Sequence, residues 1–170
     1  MAFNRSAWGA GGVVVVGTKI AVLWYEVNGK KKLAFPFGSQ KKNGSRSDNS
    51  PMDTLINELV GDKELMETGT IEVVDMFWSN KISPDHTQYW YRVKPVGELR
   101  TEALVDREDG MPNEILSAPF MMDVREVYRH PLLKRLHREM IPRLIAYMAE
   151  KDADWGWIHQ ELSVRELIAS

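Results

Sequence analysis

The sequence lacks cysteine, long apolar runs and a strong net charge, and each absence excludes a class of protein. Without cysteine the chain has no disulfide, no thiolate metal ligand and no cysteine nucleophile. A formal net charge of −2 at pH 7 gives no overall field that would attract nucleic acid or an anionic membrane. No apolar run approaches the roughly 20 residues that span a bilayer, and residues 1–12 lack the apolar core of a secretory signal. We therefore expect a cytoplasmic protein with no membrane and no nucleic-acid partner.

Several familiar chemical motifs are also missing. The chain contains no Walker loop, no dinucleotide-binding fingerprint, no zinc motif and no Gly-x-Ser-x-Gly turn. Its 170 residues, 44% of them hydrophobic and 27% charged, are typical of a globular protein and favour one domain. We predict a single domain over residues 1–152 and a C-terminal docking tail over residues 153–170.

The first part of the chain has the pattern of a β-sheet. A β-branched run at residues 13–16 and an apolar run at residues 20–25 predict two consecutive strands. Asn28 and Gly29 follow, and this pair is typical of a type I′ hairpin because both residues tolerate positive φ. Runs of the same kind predict further strands at residues 31–35, 71–78, 87–93, 99–104 and 114–120.

A capped helix is predicted after a polar loop that covers residues 38–49. Ser50 is a favourable N-cap and Pro51 a favourable first helical residue. Gly61 is a natural end for the helix. The residues that form one apolar stripe at helical spacing are Met52, Leu55, Ile56 and Leu59.

Residues 33–65 resemble the Nudix hydrolase box, in which a strand, a Pro/Gly turn, a loop and a capped helix follow one another. The family pattern is Gly, five residues, Glu, seven residues, then Arg-Glu-apolar-any-Glu-Glu-any-Gly-apolar. Its glutamates ligate magnesium or manganese against a diphosphate. Gly38 matches the first glycine of the pattern and Glu58 matches the Glu after the Arg, while Leu59 and Leu65 match the apolar positions.

The box departs from the family pattern in its polar positions. Asn57 replaces the Arg, Gly61 replaces the first of the paired glutamates, and Asp62 conservatively replaces the second. The loop before the helix is longer than the pattern allows, so that either Asp48 or Asn49 matches the early Glu.

The resemblance implies an α/β fold, a Nudix-like α/β/α sandwich with a mixed curved sheet. It also implies a nucleotide-type ligand, a nucleoside diphosphate linked to another moiety. The implied cofactor is Mg²⁺ or Mn²⁺, held by Glu58 and Asp62, which are also the candidate catalytic residues. At i, i+4 spacing these two carboxylates share one helix face, and oxygen ligands suit a hard cation. The alternative for this pair is two solvated charges on an exposed helix.

Charge and aromatic residues suggest further ligand contacts. The segment 27–47 is basic and contains no acidic residue. We predict phosphate contacts from Lys41, Lys42 and Arg46, with Gly38 lending its backbone carbonyl and close approach. Trp78 is a candidate stacking surface for a nucleobase. The alternatives are a solubilising loop and a core aromatic side chain.

The C-terminal part reads as a long helix followed by a tail. A helix is predicted over residues 131–151, and Pro142 should kink or divide it. The tail carries Trp155, Trp157 and a capping-box pattern from Ser163, which predicts a terminal helix too short to stand alone. It should dock on the domain, on a second copy in a homodimer, or on another protein. The apolar residues that recur every four positions are Leu132, Leu136, Met140, Leu144 and Met148.

Two functions of different class stay open. One is a metal-dependent hydrolase of nucleoside diphosphate derivatives that acts slowly, with a carboxylate from the acidic segment around Glu102 and Asp106 compensating for Gly61. The other is a catalytically inactive Nudix-like module for ligand sensing or protein–protein interaction.

Overall fold

The computed structural model describes residues 7–40, 48–61, 64–106 and 114–169, and these form a mixed sheet covered by helices. The strands are β1 (Trp8–Val16), β2 (Lys19–Val27), β3 (Lys30–Ala34), β4 (Phe37–Ser39), β5 (Thr70–Ser83), β6 (His86–Val96), β7 (Leu104–Asp106), β8 (Glu114–Leu116) and β9 (Phe120–Asp123). The helices are α1 (Pro51–Ile56), which continues as a π-helical turn (Asn57–Gly61), α2 (Val124–Arg129), α3 (Arg135–Ala149) and α4 (Ala153–Ala169). Within these ranges no helix has both the length and the apolar composition to cross a bilayer.

The sheet is open and mixed. Its main path runs β5-β6-β1-β2-β8-β7, while β3 and β9 pair with β2, and β4 pairs with β1. β1 and β6 are parallel, and the other described pairings are antiparallel. The first half of β2 pairs with β9 and its second half with β3 and β8, so that the sheet splits along this strand. The predicted α/β sandwich with a mixed sheet is confirmed.

The hairpin turn and the helix cap predicted from sequence occur where expected. Asn28 and Gly29 have φ values of 52° and 78°, which the type I′ hairpin between β2 and β3 requires. Ser50 caps α1 by accepting a hydrogen bond from the Asp53 backbone N–H at 3.1 Å. Asp53 adds a second hydrogen bond at this helix end, because its carboxylate accepts from the Asn49 backbone N–H at 3.0 Å.

The two larger of the three apolar clusters among the described residues lie on opposite faces of the sheet, and the third is formed by Leu23, Ala34 and Leu116. On one face, Leu55 and Leu59 of the α1 segment pack on Ala10, Val14 and other sheet residues. Gly12 lets this helix come close, because a Cβ there would lie 2.4 Å from a methyl carbon of Leu59. The other core joins sheet residues to α2, α3 and α4, and its buried members include Val13, Phe35, Trp90, Val127, Met140, Leu144 and Trp155.

Helix α3 differs from its predicted form in two respects. It begins at Arg135, and it runs without division through Pro142 to Ala149. The burial of Ile141 and Leu144 on either side of the proline holds the helix against the sheet despite the lost hydrogen bond. Leu132 and Leu136, predicted as core, are each 39% exposed, whereas the residues that follow them, Leu133 and His137, are buried.

The tail forms one helix, α4, in place of the predicted short terminal helix. Trp155 is fully buried, and its indole N–H donates to the Gly17 carbonyl at 2.9 Å. Trp157, by contrast, is 71% exposed. Glu161 lies 3.7 Å from a guanidinium nitrogen of Arg125 and of Arg129, both on α2. These ion pairs are exposed to solvent, so each contributes little to the free energy of folding.

The burial of α3 predicts unequal costs for two leucines of the same predicted stripe. Leu144→Ala should lower the free energy of unfolding by about 2–5 kcal/mol, because it leaves a cavity in the core. Leu136→Ala should cost less than about 1 kcal/mol, because its side chain is partly solvated. Urea denaturation of both variants would measure the difference. Equal losses would contradict the assigned orientation of α3.

Candidate functional site

A cavity of about 620 Å³ opens beside the box segment. Its walls come from the middle of β2, the end of β3, the whole of β4, Gln88 of β6, and β8. The π-helical turn, Glu64 beyond it and the first residues of α3 complete the walls. Aromatic side chains line one part of it, and ionisable side chains line another. The ionisable group contains Glu58, Glu64, Glu114, Lys134, Arg135 and His137.

Glu58 and Gly38, the two box residues matched first, meet at this cavity. β4 pairs with β1 and places Gly38 opposite Ala10. The Glu58 side chain is only 5% exposed and lies directly on the Gly38 Cα, where a Cβ would fall 2.1 Å from its Cγ. The backbone of the Glu58 segment widens into a π-helix, a feature frequent at functional sites. Glycine is therefore required at position 38 for Glu58 to reach the cavity.

Asp48 braces the start of this segment. Its carboxylate is 3% exposed and accepts hydrogen bonds from Thr54 Oγ1 and Asn57 Nδ2, each at 2.9 Å. Asn49 instead gives its backbone N–H to Asp53. Asp48, and not Asn49, therefore contacts the side chain of Asn57, the residue at the family's Arg position. A carboxylate and an amide, those of Asp48 and Asn57, are thus in contact at the two positions where the family pattern has Glu and Arg.

Two further buried carboxylates line the cavity. Glu64 is 6% exposed and Glu114 is 8% exposed. Glu64 stands where the family pattern has its closing Gly. Glu114 was missed, because it is distant in sequence from the box and reaches the cavity only through the pairing of β8 with β2.

Lys134 and Arg135, which are also cavity residues, were not singled out from the sequence. Lys134 is the N-cap residue of α3 and Arg135 its first residue. The Lys134 Nζ lies 4.0 Å from the centroid of the Tyr25 ring. Burial lowers the pKa of the Lys134 ammonium, while Glu114 and Glu64 act in the opposite direction. Their position follows from the bridge between β3 and the chain before α3, which no local pattern reveals.

His137 forms part of the aromatic wall. Its ring lies 5.1 Å from that of Trp90 and 5.6 Å from that of Phe37. The Nδ1 atom accepts the Phe35 backbone N–H at 3.0 Å, which leaves Nε2 as the protonated nitrogen of a neutral ring. Burial, followed by the nearby charge of Lys134, lowers the pKa of His137 to about 3. The ring is therefore a neutral donor at physiological pH.

The remaining predicted site residues lie elsewhere or are not described. Lys41, Lys42, Arg46 and Asp62 fall outside the described residues. Trp78 is on β5 and pairs in register with Trp90. The guanidinium of Arg143 lies 5.7 Å from the Trp78 ring centroid. Trp78 packs against the helical core and does not line the cavity.

The donor chemistry of the cavity suits a hard divalent cation, because Glu58, Glu64 and Glu114 offer carboxylate oxygens. In the described ranges, however, no three acidic or histidine side chains stand together as a preformed metal site. Oxygen donors are therefore available, but the carboxylates do not converge on one point.

Comparison with solved structures identifies the fold as that of the Nudix hydrolases. A UDP-X diphosphatase superimposes with a TM-score of 0.57 and 14% identity, covering 89% of this chain and 67% of that chain. A MutT NUDIX hydrolase from Burkholderia pseudomallei gives 0.55 and 14%, covering 82% and 96%. An ADP compounds hydrolase gives 0.54 and 12%, covering 88% and 75%. No protein-family model and no curated protein matches the sequence.

The contact between Gly38 and Glu58 predicts a specific glycine requirement. Gly38→Ala should lower the free energy of unfolding by about 1–3 kcal/mol, the range for overpacking, because the methyl group must displace the Glu58 side chain. Gly156→Ala is the matched control. It lies in α4, where the nearest atom to a new Cβ is 4.0 Å away, and should be neutral or stabilising. Urea denaturation measures both, and a harmless Gly38→Ala would contradict the contact.

The depressed pKa of His137 predicts a pH-dependent stability. Between the unfolded value of 6.5 and the folded value of about 3, the unfolded chain binds the proton and the folded chain does not. Stability from this source is constant above 6.5 and falls by up to about 1.4 kcal/mol per pH unit below it. His137→Gln should therefore flatten the fall between about pH 6 and pH 4. The exposed His159→Gln should not, and identical slopes in both variants would exclude a buried neutral His137.

Proposed function

We propose that this protein binds a nucleoside diphosphate linked to another moiety in the cavity beside Glu58, and hydrolyses it with a divalent metal. The observation that carries the proposal is the seating of the Glu58 side chain on Gly38. The box resemblance matches both residues, and their contact is made at the wall of a cavity large enough for a small-molecule ligand.

The residues around the cavity divide into complementary roles. Glu58, together with Asp62, would hold Mg²⁺ or Mn²⁺. The ion would neutralise phosphate oxygens and lower the pKa of water. Arg135 presents a guanidinium suited to phosphate oxygens at the mouth, and Lys41, Lys42 and Arg46 are proposed to add charge from the basic loop. Tyr25 and Phe37 offer rings on which a nucleobase can stack.

The names of two structurally similar proteins support this choice of ligand. One is a UDP-X diphosphatase and another an ADP compounds hydrolase. Both names describe nucleoside diphosphates joined to a further group. At these identities the comparisons support the fold, and the ligand class for this chain rests on the cavity and the box together. A cytoplasmic location, expected from the sequence, is part of the proposal.

The second candidate is a catalytically inactive ligand-sensing or interaction module. It is favoured by Gly61, which stands where the pattern has a glutamate, and by the exposure of Trp157 on α4. Aromatic side chains of this kind are enriched at protein interfaces. Binding of a nucleotide derivative without any metal-dependent product would favour this function over hydrolysis.

Glu58→Gln tests the proposed role directly. Removing the carboxylate charge while keeping the side-chain size should reduce magnesium-dependent hydrolysis by roughly 10²-fold or more, if the metal is the main source of rate enhancement. Product release would be measured on UDP-sugars and ADP-ribose with and without Mg²⁺, and ligand binding by calorimetry. Glu72→Gln, an exposed glutamate on β5, is the control.

The outcomes separate the two candidates. Hydrolysis by the wild type that Glu58→Gln abolishes supports the enzyme. Metal-independent binding with no product in either protein supports the sensing module. If the wild type neither binds nor hydrolyses any compound of the panel, both ligand proposals are contradicted.

A further inference from the structure

Gln88 carries a buried amide that the fold leaves without a hydrogen bond. Its side chain is 5% exposed, and in the described part of the chain its Oε1 is closed off from solvent and has no hydrogen-bond partner. Such groups are rare in native proteins, because a buried polar atom without a partner destabilises the folded state. Trp90 Nε1 and two guanidinium nitrogens of Arg100 share this condition, but of these three residues only Gln88 lines the cavity.

The sheet places Gln88 at the aromatic part of the cavity. On β6 its side chain points to the same face as that of Trp90, because alternate residues of a strand do so. In the parallel register with β1, Gln88 lies opposite Gly9 and Trp90 opposite Gly11. The Phe37 ring lies over both glycines, since a Cβ would fall 2.4 Å from its Cζ at Gly9 and 2.7 Å from its Cδ2 at Gly11. Gln88 is therefore beside the place where the Phe37 ring meets β1, and no β1 side chain covers it.

A second glutamine of the same cavity shows the ordinary arrangement. Gln40 Oε1 accepts the Ala7 backbone N–H at 2.9 Å, and Gln40 Nε2 donates to the Asp48 carbonyl at 3.4 Å. Both ends of that amide are used within the protein, whereas no described group pairs with the amide of Gln88. The contrast indicates that Gln40 holds the fold together and that the Gln88 amide is available to a partner from outside the chain.

The chemistry of an amide suits the edge of a nucleobase. A glutamine amide offers one acceptor and one donor side by side, and it can pair with an adjacent donor and acceptor on a base. Adenine and uracil both present such an edge. The amide is uncharged and lies beside Phe37, a ring on which a base can stack. A phosphate would instead be expected at the part of the cavity that the ionisable side chains line.

We propose that Gln88 hydrogen-bonds the nucleobase edge of the bound nucleotide and determines which base is accepted. The presence of a nucleotide in the cavity is taken from the proposed function, on which this inference rests. In the free protein the amide is an uncompensated polar group, and the ligand supplies the missing hydrogen bonds. Gln88 therefore lowers the stability of the free protein and raises its affinity for the ligand.

The first measurement is the melting temperature of the protein without nucleotide. Gln88→Met keeps a side chain of similar length and removes the unpaired amide, so that the melting temperature should rise by roughly 2–4 °C. Gln40→Met is the matched control. It removes an amide of the same cavity that makes two hydrogen bonds, and it should lower the melting temperature. An unchanged or lower melting temperature in Gln88→Met would show that the amide is satisfied in the free protein, which overturns the proposal.

The second measurement is ligand affinity by titration calorimetry, with ADP and UDP as probes in the presence of Mg²⁺. For the nucleotide that the wild type binds more tightly, Gln88→Met should raise Kd by about tenfold or more, because two hydrogen bonds to the base are lost. Inorganic pyrophosphate, which has no base, is the control ligand and should bind the wild type and the variant equally. An equal loss of pyrophosphate affinity would assign the effect to the phosphates and overturn the proposal.

The outcomes keep this inference apart from the proposed function. A higher melting temperature together with weaker nucleotide binding supports the inference, since a purely structural role does not move the two in these directions. If the wild type binds a nucleotide and Gln88→Met binds it equally well, the inference fails and the proposed function stands. If the wild type binds neither probe and none of the UDP-sugars and ADP-ribose, the proposed function fails and the inference fails with it.

A second variant covers the case in which Gln88→Met does not fold. Gln88→Leu is also apolar and shorter, and it then replaces the methionine variant in both measurements with the same expected results. Failure of both variants to fold would show that the amide supports the fold itself, and this result overturns the proposal.

Discussion

The close approach of the α1 segment to the sheet is the constraint on which the site depends. Two consecutive residues of the π-helical turn rest on glycines of two neighbouring strands. Leu59 meets Gly12 of β1, and Glu58 meets Gly38 of β4. A side chain at either glycine would push the segment outward, since the gaps are shorter than a normal van der Waals contact. One contact seals a core and the other sets a carboxylate at the cavity, so that packing and site geometry are fixed together.

Charge balance is the second organising feature of the cavity. Three buried glutamates, a lysine and an arginine share one volume with a neutral histidine. Isolated charges are costly in such a place, and each must be compensated by a partner, a ligand or an ion. His137 carries no charge, and its Nδ1 accepts a hydrogen bond from the Phe35 backbone N–H. The three carboxylates line the same cavity as Lys134 and Arg135.

Tertiary contacts also decided which residues of a pattern line or brace the cavity and which lie elsewhere. Asp48 and Asn49 were equivalent in sequence, but only Asp48 turns inward to the Thr54 hydroxyl and the Asn57 amide. Trp78 was a ligand candidate by residue type, yet it packs on the core side of the sheet, away from the cavity. The apolar repeat of α3 was correct from Met140 onward and wrong at Leu132 and Leu136, because periodicity gives a face but not the point at which that face meets the sheet.

The sequence alone determined the local features whose physics is local. The Asn28–Gly29 hairpin, the Ser50 cap, the strands predicted within residues 13–35, 71–78 and 87–93, and the order of the Nudix-like box all follow from backbone preferences and spacing. The strands predicted at residues 99–104 and 114–120 are wrong in their bounds, since the structure has strands at Leu104–Asp106 and Glu114–Leu116. From that order the fold class could be predicted. The full composition of the cavity could not, because Glu114, Lys134 and His137 join Glu58 through strand pairing and a backbone bridge between segments far apart in the chain. Residues far apart in sequence leave no periodic signal of their contact, so only the tertiary structure decided which charged side chains line one cavity.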